Sequence, residues 1–289
     1  MNIEDTFPDE AAGRVVESAL AEDLGSGGDV TSKATIPAAR RARARLVARE
    51  DLVPAGLPLV PIVLARTAAR LGADPPAVER DVRDGAAVRA GASLALVEGN
   101  ARVILAGERV LLNLLARLSG IASLTAQAVR EVAGTGARIA DTRKTTPLLR
   151  ALEKYAVRVG GGENHRERLD ELVMVKDNHK LIAGGLRPAI DALRAAGIDP
   201  ADAEIEVDSW EEFLVALEAG AGWILLDNMS PDQVRRCAGH AAGRVRLEVS
   251  GGLRPGGLRP YAECGVDRLS LGCLTHGARA VDVALDVVE

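Results

Sequence analysis

The sequence predicts an α/β protein in which a small N-terminal unit of helices and strands precedes a larger domain of parallel β/α construction. Of its 289 residues, 47% are hydrophobic and 27% are charged, which is typical of a globular protein with a sizeable core. After residue 136, short apolar runs alternate with helical segments, as in parallel β/α folds. Polar and glycine residues follow those runs, at the strand ends where β/α barrels have their active sites.

Hydrophobic periodicity predicts the elements of the N-terminal unit. Apolar residues at helical spacing predict helices over 11–24, 57–71 and 103–118, and Ser119-Gly120 is expected to interrupt the last of them. Alternation of apolar and polar residues over 42–49 predicts a half-buried strand. Glycine-containing turns delimit short strands at 82–85 and 93–98. We expect a domain boundary near the end of the third helix.

The larger domain is predicted to contain seven parallel strands. The apolar runs that predict them lie at residues 137–140, 156–159, 172–175, 203–207, 223–226, 245–249 and 269–271. Because the carboxyl ends of such strands meet at one face of a barrel, we expect the polar residues that follow them to converge on one site.

Composition disfavours several classes of partner. The net charge of −5 and the aromatic content of 2% argue against a nucleic-acid-binding protein. The acidic N-terminus lacks the apolar core of a secretory signal, and the uncharged stretch 52–65 is too short to span a bilayer. The three cysteines lack the spacing of a zinc or redox site. We therefore expect a cytoplasmic protein with no nucleic-acid or membrane partner.

The segment 141–180 carries the strongest sign of a binding site. It is locally basic in an acidic chain, which favours a small anionic ligand. Arginine guanidinium groups and lysine ammonium groups occur together there, as a ligand with several carboxylates or phosphates requires. The candidates are Arg143, Lys144, His165, Arg166 and Lys176. Ion pairing along surface helices is the alternative interpretation, and it suits Arg150, Lys154 and Arg158.

Later strand ends add two further features. Ser250-Gly251-Gly252 and Gly272 bring backbone N–H groups to positions where such barrels often bind a phosphate, although glycines also simply form turns. Glu206 and Asp227 end neighbouring strands, and their carboxylates suit Mg²⁺ or ribose hydroxyls, unless they only pair with nearby cations. A phosphate, a sugar with a divalent metal and a small carboxylic acid are the ingredients of phosphoribosyl transfer.

Eight segments, in order along the chain, resemble the quinolinate phosphoribosyltransferase family, also called carboxylating nicotinate-nucleotide pyrophosphorylases. They are EDLGSGGDVTS (22–32), GERVLLNLLARLSGIAS (107–123), DTRKTTPLLRALEKYAVRVGGGENHR (141–166), KDNH (176–179), EIEVDS (204–209), ILLDN (224–228), SGG (250–252) and LSLGCLTH (269–276). The resemblance implies an N-terminal α/β sandwich domain (1–113) and an incomplete seven-stranded β/α barrel (114–277) of the type II phosphoribosyltransferase kind. It also implies that the segment 278–289 packs back onto the first domain, and that the chains form a head-to-tail homodimer or a dimer-based oligomer.

The resemblance also implies a reaction and residue roles. Phosphoribosyl diphosphate and quinolinate would give nicotinate mononucleotide, diphosphate and CO₂, with Mg²⁺ as cofactor and Lys144, Lys176, Glu206 and Asp227 as catalytic residues. Quinolinate would contact Thr142, Arg143, Lys144, His165, Arg166, Lys176 and Arg109 of the neighbouring subunit. Phosphoribosyl diphosphate would contact Lys144, Lys176, Glu206, Asp227, Ser250, Gly251, Gly252, Leu271, Gly272 and Cys273. Glu206 and Asp227 would meet both the ribose hydroxyls and the metal.

One departure from the family pattern and two alternatives remain open at this point. Arg168 stands where the family usually has glycine, which raises the question of a changed acceptor preference. A sister group from molybdenum-transport operons shares the barrel, but its members do not generally keep the KDNH motif that is present here. A catalytically silent, anion-binding barrel would show damage among Arg109, Lys144, Lys176, Glu206 and Asp227, and these residues are intact.

Overall fold

The structure is a computed structural model that describes residues 3–288. Its helices are α1 (Asp9–Leu24), α2 (Val30–Thr35), α3 (Leu59–Leu71), α4 (Ala101–Glu131), α5 (Arg150–Val159), α6 (Asp177–Ala183), α7 (Leu186–Ala195), α8 (Trp210–Glu218), α9 (Pro231–Ala241), α10 (Arg259–Ala262) and α11 (Cys273–His276). Its strands are β1 (Arg41–Ala48), β2 (Ala77–Arg80), β3 (Ser93–Asn100), β4 (Arg138–Ala140), β5 (Val173–Val175), β6 (Ala203–Val207), β7 (Trp223–Asp227), β8 (Arg246–Ser250), β9 (Arg268–Ser270) and β10 (Val283–Val288). Short 3₁₀ helices lie at Ile3–Thr6 and Pro200–Asp202.

The chain divides into two compact units. The first contains the residues up to 126, the segment 145–161 and the chain from 277 onward. Its antiparallel sheet has the order β10-β1-β3-β2 among the described residues. From Arg41 to Leu46 the more exposed and more buried residues of β1 alternate, as the period-two pattern predicts, and the residues from Leu46 to Ala48 are all buried. The last strand, β10, pairs with β1 with Ala48 opposite Val283, so the C-terminal segment is part of this unit.

The helix α4 runs through Ser119-Gly120, so the predicted interruption at this dipeptide is wrong. Gly120 is needed for a close approach rather than for a break, because a Cβ atom there would overlap the carbonyl oxygen of Arg279. The Ser119 hydroxyl accepts a hydrogen bond from the backbone N–H of Ala55 (3.1 Å). The expected boundary after residue 113 falls inside this helix, and the two units separate after residue 126.

The strand predicted at 82–85 is also wrong. The strand lies earlier, at β2, and Asp84 instead lies in a turn, where its carboxylate accepts hydrogen bonds from the backbone N–H groups of Gly56 (2.7 Å) and Leu57 (3.0 Å). A buried aspartate that binds two backbone donors stabilises a turn, which explains why the local glycine pattern was misleading.

The second unit contains residues 127–144 and 162–276 and is built on the predicted parallel β/α pattern. Its sheet has the order β4-β9-β8-β7-β6-β5 within the described residues, and every neighbouring pair is parallel. Helices α7, α8 and α9 precede or connect the central strands, each with one buried face. Parallel strands buried on both faces read as short apolar runs, which is why six of the seven runs predicted strands correctly.

The remaining run, 156–159, forms the end of α5 rather than a strand. Its apolar residues belong to the buried part of an amphipathic helix, together with Leu152 and Tyr155. The seventh position of the barrel lies a few residues later, where Glu163 makes an isolated parallel bridge to Ala140. A short apolar run does not distinguish a buried strand from the end of a helix, so the prediction placed the strand too early.

The long helix α4 is also long and apolar enough to cross a membrane by length and composition alone. Much of its surface is buried within the protein, including Val103, Ile104, Leu111 and Leu115. The core helix of a globular protein passes the same test, so this helix is weak evidence for a membrane span.

Candidate active site

A pocket of about 450 Å³ lies at the C-terminal ends of the parallel strands of the second unit. Residues 142–144 follow β4, and Lys176 and Asp177 follow β5. Glu206, Asp227 and Ser250 lie in the last two positions of β6, β7 and β8. The lining residues are Thr142, Arg143, Lys144, His165, Arg166, Met174, Lys176, Asp177, Glu206, Leu225, Asp227, Glu248 and Ser250. The predicted convergence of polar strand ends is therefore observed.

Four cationic side chains line this pocket, namely Arg143, Lys144, Arg166 and Lys176. Arg166 donates a hydrogen bond from Nη1 to the carbonyl oxygen of Leu172 (2.6 Å), which fixes its guanidinium. Burial and the neighbouring charge of Arg143 lower the pKa of Arg166. Like charges held this close favour an anion that neutralises them. The pocket is therefore suited to a ligand with more than one carboxylate or phosphate group.

The backbone around Lys144 is held from two sides. Its N–H donates to the Thr142 hydroxyl (3.0 Å), and its carbonyl oxygen accepts a hydrogen bond from the Thr275 hydroxyl (2.7 Å). Gly272 lies against the lysine side chain, because a Cβ atom at this glycine would come 2.9 Å from Lys144 Cδ. The loop after β9 thus sets the position of the lysine.

Two carboxylates stand opposite the cations. Glu206 pairs with Lys176, with Oε2 3.0 Å from Nζ, and its Oε1 accepts the backbone N–H of Asp177 (3.1 Å). Burial and the neighbouring charge of Glu206 raise the pKa of Asp227. Oxygen ligands that repel each other in this way fit a hard divalent cation such as Mg²⁺, which would relieve the repulsion.

The glycines after β8 form a separate anion-sized recess. Gly251 and Gly252 have φ values of +97° and +62°, and a Cβ atom at Gly251 would overlap the side chain of Asn228. They line a pocket of about 350 Å³ together with Arg254. Glycine is required here both by the left-handed backbone and by the close approach of Asn228. Exposed backbone N–H groups in such loops are typical phosphate ligands.

The structure separates the predicted site residues into five groups. Those that line the main pocket are Thr142, Arg143, Lys144, His165, Arg166, Lys176, Glu206, Asp227 and Ser250, whereas Gly251 and Gly252 line the neighbouring recess. The side chains of Leu271 and Cys273 are buried, which leaves only their backbone for a ligand. Gly272 lies between them and contacts Lys144. Arg109 lies on α4 in the first unit with 63% of its side chain exposed.

Sequence reasoning did not nominate four of the lining residues, Met174, Asp177, Leu225 and Glu248. Glu248 carried a usable signal, because it lies two residues before Ser250 on β8 and side chains two apart share a face of a strand. Asp177 belongs to the KDNH motif. Met174 and Leu225 form the apolar part of the pocket wall, and nothing in the sequence distinguishes them from other buried residues.

Arg168, the departure from the family pattern that raises the question of acceptor preference, does not line the pocket. Its side chain is exposed and pairs with Asp170 (3.1 Å) and Glu171 (3.1 Å). Two local carboxylates thus hold the additional charge within its own loop.

A buried ionic cluster adjoins the pocket inside the second unit; it consists of His165, Glu204, Glu248 and Arg268. The imidazole Nε2 of His165 lies 3.0 Å from Glu204 Oε2 and 3.7 Å from Glu248 Oε1. Arg268 forms an ion pair with Glu248, and its Nη2 lies 3.7 Å from Glu204 Oε2. Burial and the charge of Glu204 raise the pKa of Glu248. The inner layers of a β/α barrel are usually filled by branched apolar side chains, so this cluster is unusual.

Comparison with known proteins gives a consistent result. The models of the C-terminal and N-terminal domains of quinolinate phosphoribosyl transferase match residues 121–286 and 29–119. A Mycobacterium leprae protein named nicotinate-nucleotide pyrophosphorylase [carboxylating] is 42% identical over 281 residues, covering 96% of this chain and 98% of its own. A crystal structure of nicotinate-nucleotide pyrophosphorylase from Ehrlichia chaffeensis is similar (35% identity, TM-score 0.87, covering 95% of this chain and 98% of its own). So is a structure of the nicotinate-nucleotide pyrophosphorylase from Francisella tularensis (32% identity, TM-score 0.88, covering 97% of both chains).

Proposed function

The chain belongs to the quinolinate phosphoribosyltransferase family, and we propose that it transfers the phosphoribosyl group of phosphoribosyl diphosphate to quinolinate with loss of CO₂. The products are nicotinate mononucleotide and diphosphate, and the reaction serves NAD biosynthesis. The observation that carries the proposal is the single pocket in which four cations face the carboxylates of Glu206 and Asp227. A dicarboxylate acceptor and a diphosphate donor together need this number of positive charges.

In this proposal the acceptor lies against the cationic side of the pocket. Arg143 and Arg166 offer planar forks that match carboxylates, and Lys144 and Lys176 offer point charges. Thr142 and His165 complete the wall. Binding both carboxylates fixes the ring so that its nitrogen faces the sugar, which is the main catalytic contribution of positioning.

The donor lies against the strand ends and the glycine loop. Residues 250–252, Glu206 and Asp227 line the two pockets. In this proposal the backbone of 250–252, together with that of 271–273, binds the 5′-phosphate, and Glu206 and Asp227 hold the ribose hydroxyls. Glu206 and Asp227 are also the residues that would hold Mg²⁺, and their mutual repulsion supports this role. When bound, Mg²⁺ supplies positive charge that stabilises the departing diphosphate.

The residues support each bond change in turn. The bond from ribose C1′ to the diphosphate oxygen breaks and its electron pair leaves with diphosphate, whose charge Lys144 and Lys176 stabilise. The carboxylates of Glu206 and Asp227 tolerate the positive charge that develops on the sugar. The lone pair of the pyridine nitrogen forms the new bond to C1′. The adjacent carboxylate then leaves as CO₂, and the remaining electron pair, stabilised by the cationic ring, takes a proton from solvent.

We further propose a cytoplasmic homodimer, or an oligomer built from dimers, in which Arg109 of one chain serves the active site of the other. The exposure of Arg109 in the single chain supports this proposal. So do Leu181 and Ile182 on α6, two neighbouring apolar side chains that are almost fully exposed. The three cysteines are free, as expected in a reducing compartment.

The test is an assay of the purified protein with Mg²⁺, phosphoribosyl diphosphate and either quinolinate or nicotinate. We expect equal amounts of CO₂ and nicotinate mononucleotide from quinolinate and no nucleotide from nicotinate. The variant Lys176→Met serves as the inactive control, with kcat/KM reduced about 100-fold or more. Product from another acid, or no product from any, would refute the proposed acceptor.

A further inference from the structure

In the buried cluster of His165, Glu204, Glu248 and Arg268, only His165 has a part in the mechanism above, as a section of the pocket wall. Glu204 is fully buried in β6, two residues before Glu206 on the same side of the strand. It is not among the residues that line the pocket. A buried carboxylate costs stability unless charged or hydrogen-bonding groups compensate for it, so its presence needs a specific explanation.

The contacts of His165 define its tautomer. The backbone N–H of Arg166 donates to Nδ1 (2.7 Å), which makes Nδ1 an acceptor and leaves the ring proton on Nε2. Nε2 in turn faces Glu204 Oε2 at 3.0 Å. The backbone N–H of His165 donates to Asp141 Oδ1 (2.9 Å), so the main chain is also fixed. Both ring nitrogens therefore face protein groups, and the ring itself forms part of the pocket wall.

Arg268 explains how two carboxylates share this interior. Its guanidinium pairs with Glu248 and lies 4.1 Å from the ring centre of Trp223, which holds it flat. Glu248 is thereby compensated, whereas the polar group nearest to Glu204 is Nε2 of His165, closer than the Arg268 guanidinium. A metal ion is an unsuitable occupant for the donors His165, Glu204 and Glu248, because the guanidinium already provides the positive charge.

We propose that Glu204 is a positioning residue for the acceptor: it orients the His165 ring, which through its bond to the Arg166 N–H fixes the backbone that carries the substrate-binding guanidinium. The path consists of two contacts, from Glu204 to Nε2 and from Nδ1 to the Arg166 N–H. Glu204 touches neither donor nor acceptor. Its loss should therefore weaken acceptor binding and leave donor binding unchanged. The proposal rests on the function proposed above.

The kinetic test compares Glu204→Leu with Glu204→Gln. Leucine removes the carboxylate that faces Nε2 but leaves the Glu248–Arg268 pair charge-balanced, so the fold should survive. Glutamine keeps an oxygen acceptor of the same reach. We expect the KM for quinolinate to rise about tenfold in Glu204→Leu and about twofold in Glu204→Gln, with the KM for phosphoribosyl diphosphate unchanged. In a His165→Asn background, Glu204→Leu should have little further effect, because the path is already broken.

A matched control separates positioning from general loss of stability. Asp84→Asn alters a buried carboxylate in the first unit, which is bound by Gly56 and Leu57. It should lower the melting temperature without changing either KM. If Glu204→Leu raises both KM values equally, or changes neither, the positioning role is wrong.

A second measurement needs no substrate. The chain has four histidines, so ¹⁵N-detected spectra of the imidazoles can be assigned by single substitutions. We expect His165 to carry its proton on Nε2 in the wild-type protein, and to lose this single tautomer in Glu204→Leu. An unchanged His165 spectrum in that variant would overturn the proposal. If the wild-type protein fails to use quinolinate but the His165 spectrum responds as expected, the proposed function fails and the positioning of His165 stands.

Discussion

Gly272 is the residue at which a single added methyl group should displace a catalytic side chain, that of Lys144. Its Cβ would lie 2.9 Å from Lys144 Cδ and 3.2 Å from the His276 ring. The lysine is the more flexible neighbour, so we expect Gly272→Ala to displace the ammonium rather than the backbone. Misplacement of a catalytic group by a fraction of an ångström lowers rates strongly, and we predict a fall of about tenfold in kcat/KM with little change in melting temperature.

Steady-state kinetics and thermal unfolding of Gly272→Ala check this prediction. Gly136→Ala is the matched control, because nothing lies near the Cβ position of that glycine and its φ is not positive. The control should leave both quantities unchanged. Full activity in Gly272→Ala would mean that the position of Lys144 does not depend on the loop after β9.

Most of the pocket residues were predictable because they are charged or polar and also lie at the ends of predicted strands. Lys144, Lys176 and Asp227 each lie at or just after the end of an apolar run, where parallel strands bring their ends together. Glu204 and Glu248 were missed because they lie inside strands, where a single charged residue looks like the exposed side of an alternating pattern. Only the structure shows that this side faces a buried interior.

At the scale of elements, the C-terminal strand β10 depends on an anchor outside the sheet. Glu50 pairs with Arg279, with Oε1 2.7 Å from Nη1, and accepts the backbone N–H of Asp282 (2.8 Å). These two donors, Arg279 first, lower the pKa of Glu50 from 4.5 to about 2. The ionised form is therefore favoured in the folded state, and the segment that leads into β10 is tied to the end of β1.

We predict that this anchor depends on pH in a defined direction. Because the folded-state pKa lies below the unfolded one, the stabilisation is complete above pH 4.5 and is lost as the pH falls from 4.5 to about 2. Since the pair is partly solvent-exposed, Glu50→Gln should cost about 1 kcal/mol at pH 7, and less as the pH falls through this range. Urea unfolding at several pH values measures the difference.

Glu263→Gln is the reference for that measurement. Glu263 pairs with Arg259 one helical turn away, and both side chains are about half exposed. Its loss should cost less than about 0.5 kcal/mol at neutral pH. If Glu50→Gln costs no more than this reference, or if its cost does not shrink on acidification, the anchor does not hold β10.

The mispredicted elements have two physical causes. At Gly120 the cause is a distant segment, because this glycine accommodates the carbonyl of Arg279 rather than interrupting the helix. In α5 the cause is local ambiguity, because the run 156–159 belongs to a helix whose buried face extends back to Leu152 and a short apolar run does not distinguish the two states. The β/α repeat was predictable because buried parallel strands give short apolar runs whatever strands they pair with.

At the scale of the whole molecule, the family resemblance predicted more than hydrophobic periodicity did, because eight ordered motifs constrain both the fold and the chemistry. The parallel strands and the pocket follow from both arguments. The assembly follows from the resemblance alone, since an exposed arginine on α4 has no local signal for a distant partner. The dimer is therefore the proposal that most needs a direct experiment.

Mixed dimers provide that experiment, because they distinguish an arginine that acts on the partner from one that acts on its own chain. We predict that Arg109→Ala and Lys176→Met are each inactive alone. If Arg109 serves the neighbouring site, a mixed dimer contains one intact site, made of the normal pocket of one chain and the normal arginine of the other. Random association makes half of the dimers mixed, so co-refolding equal amounts should restore about 25% of wild-type activity.

The opposite geometry gives the opposite result. If Arg109 acted within its own chain, both sites of every mixed dimer would lack one residue, and the mixture would remain inactive. A double variant, Arg109→Ala with Lys176→Met, refolded with wild-type chains controls for simple dilution, since its mixed dimers hold no intact site when Arg109 acts on the partner. Two results together would establish that each active site is built from two chains. The first mixture regains activity, and the control mixture shows no activity beyond that of its residual wild-type dimers.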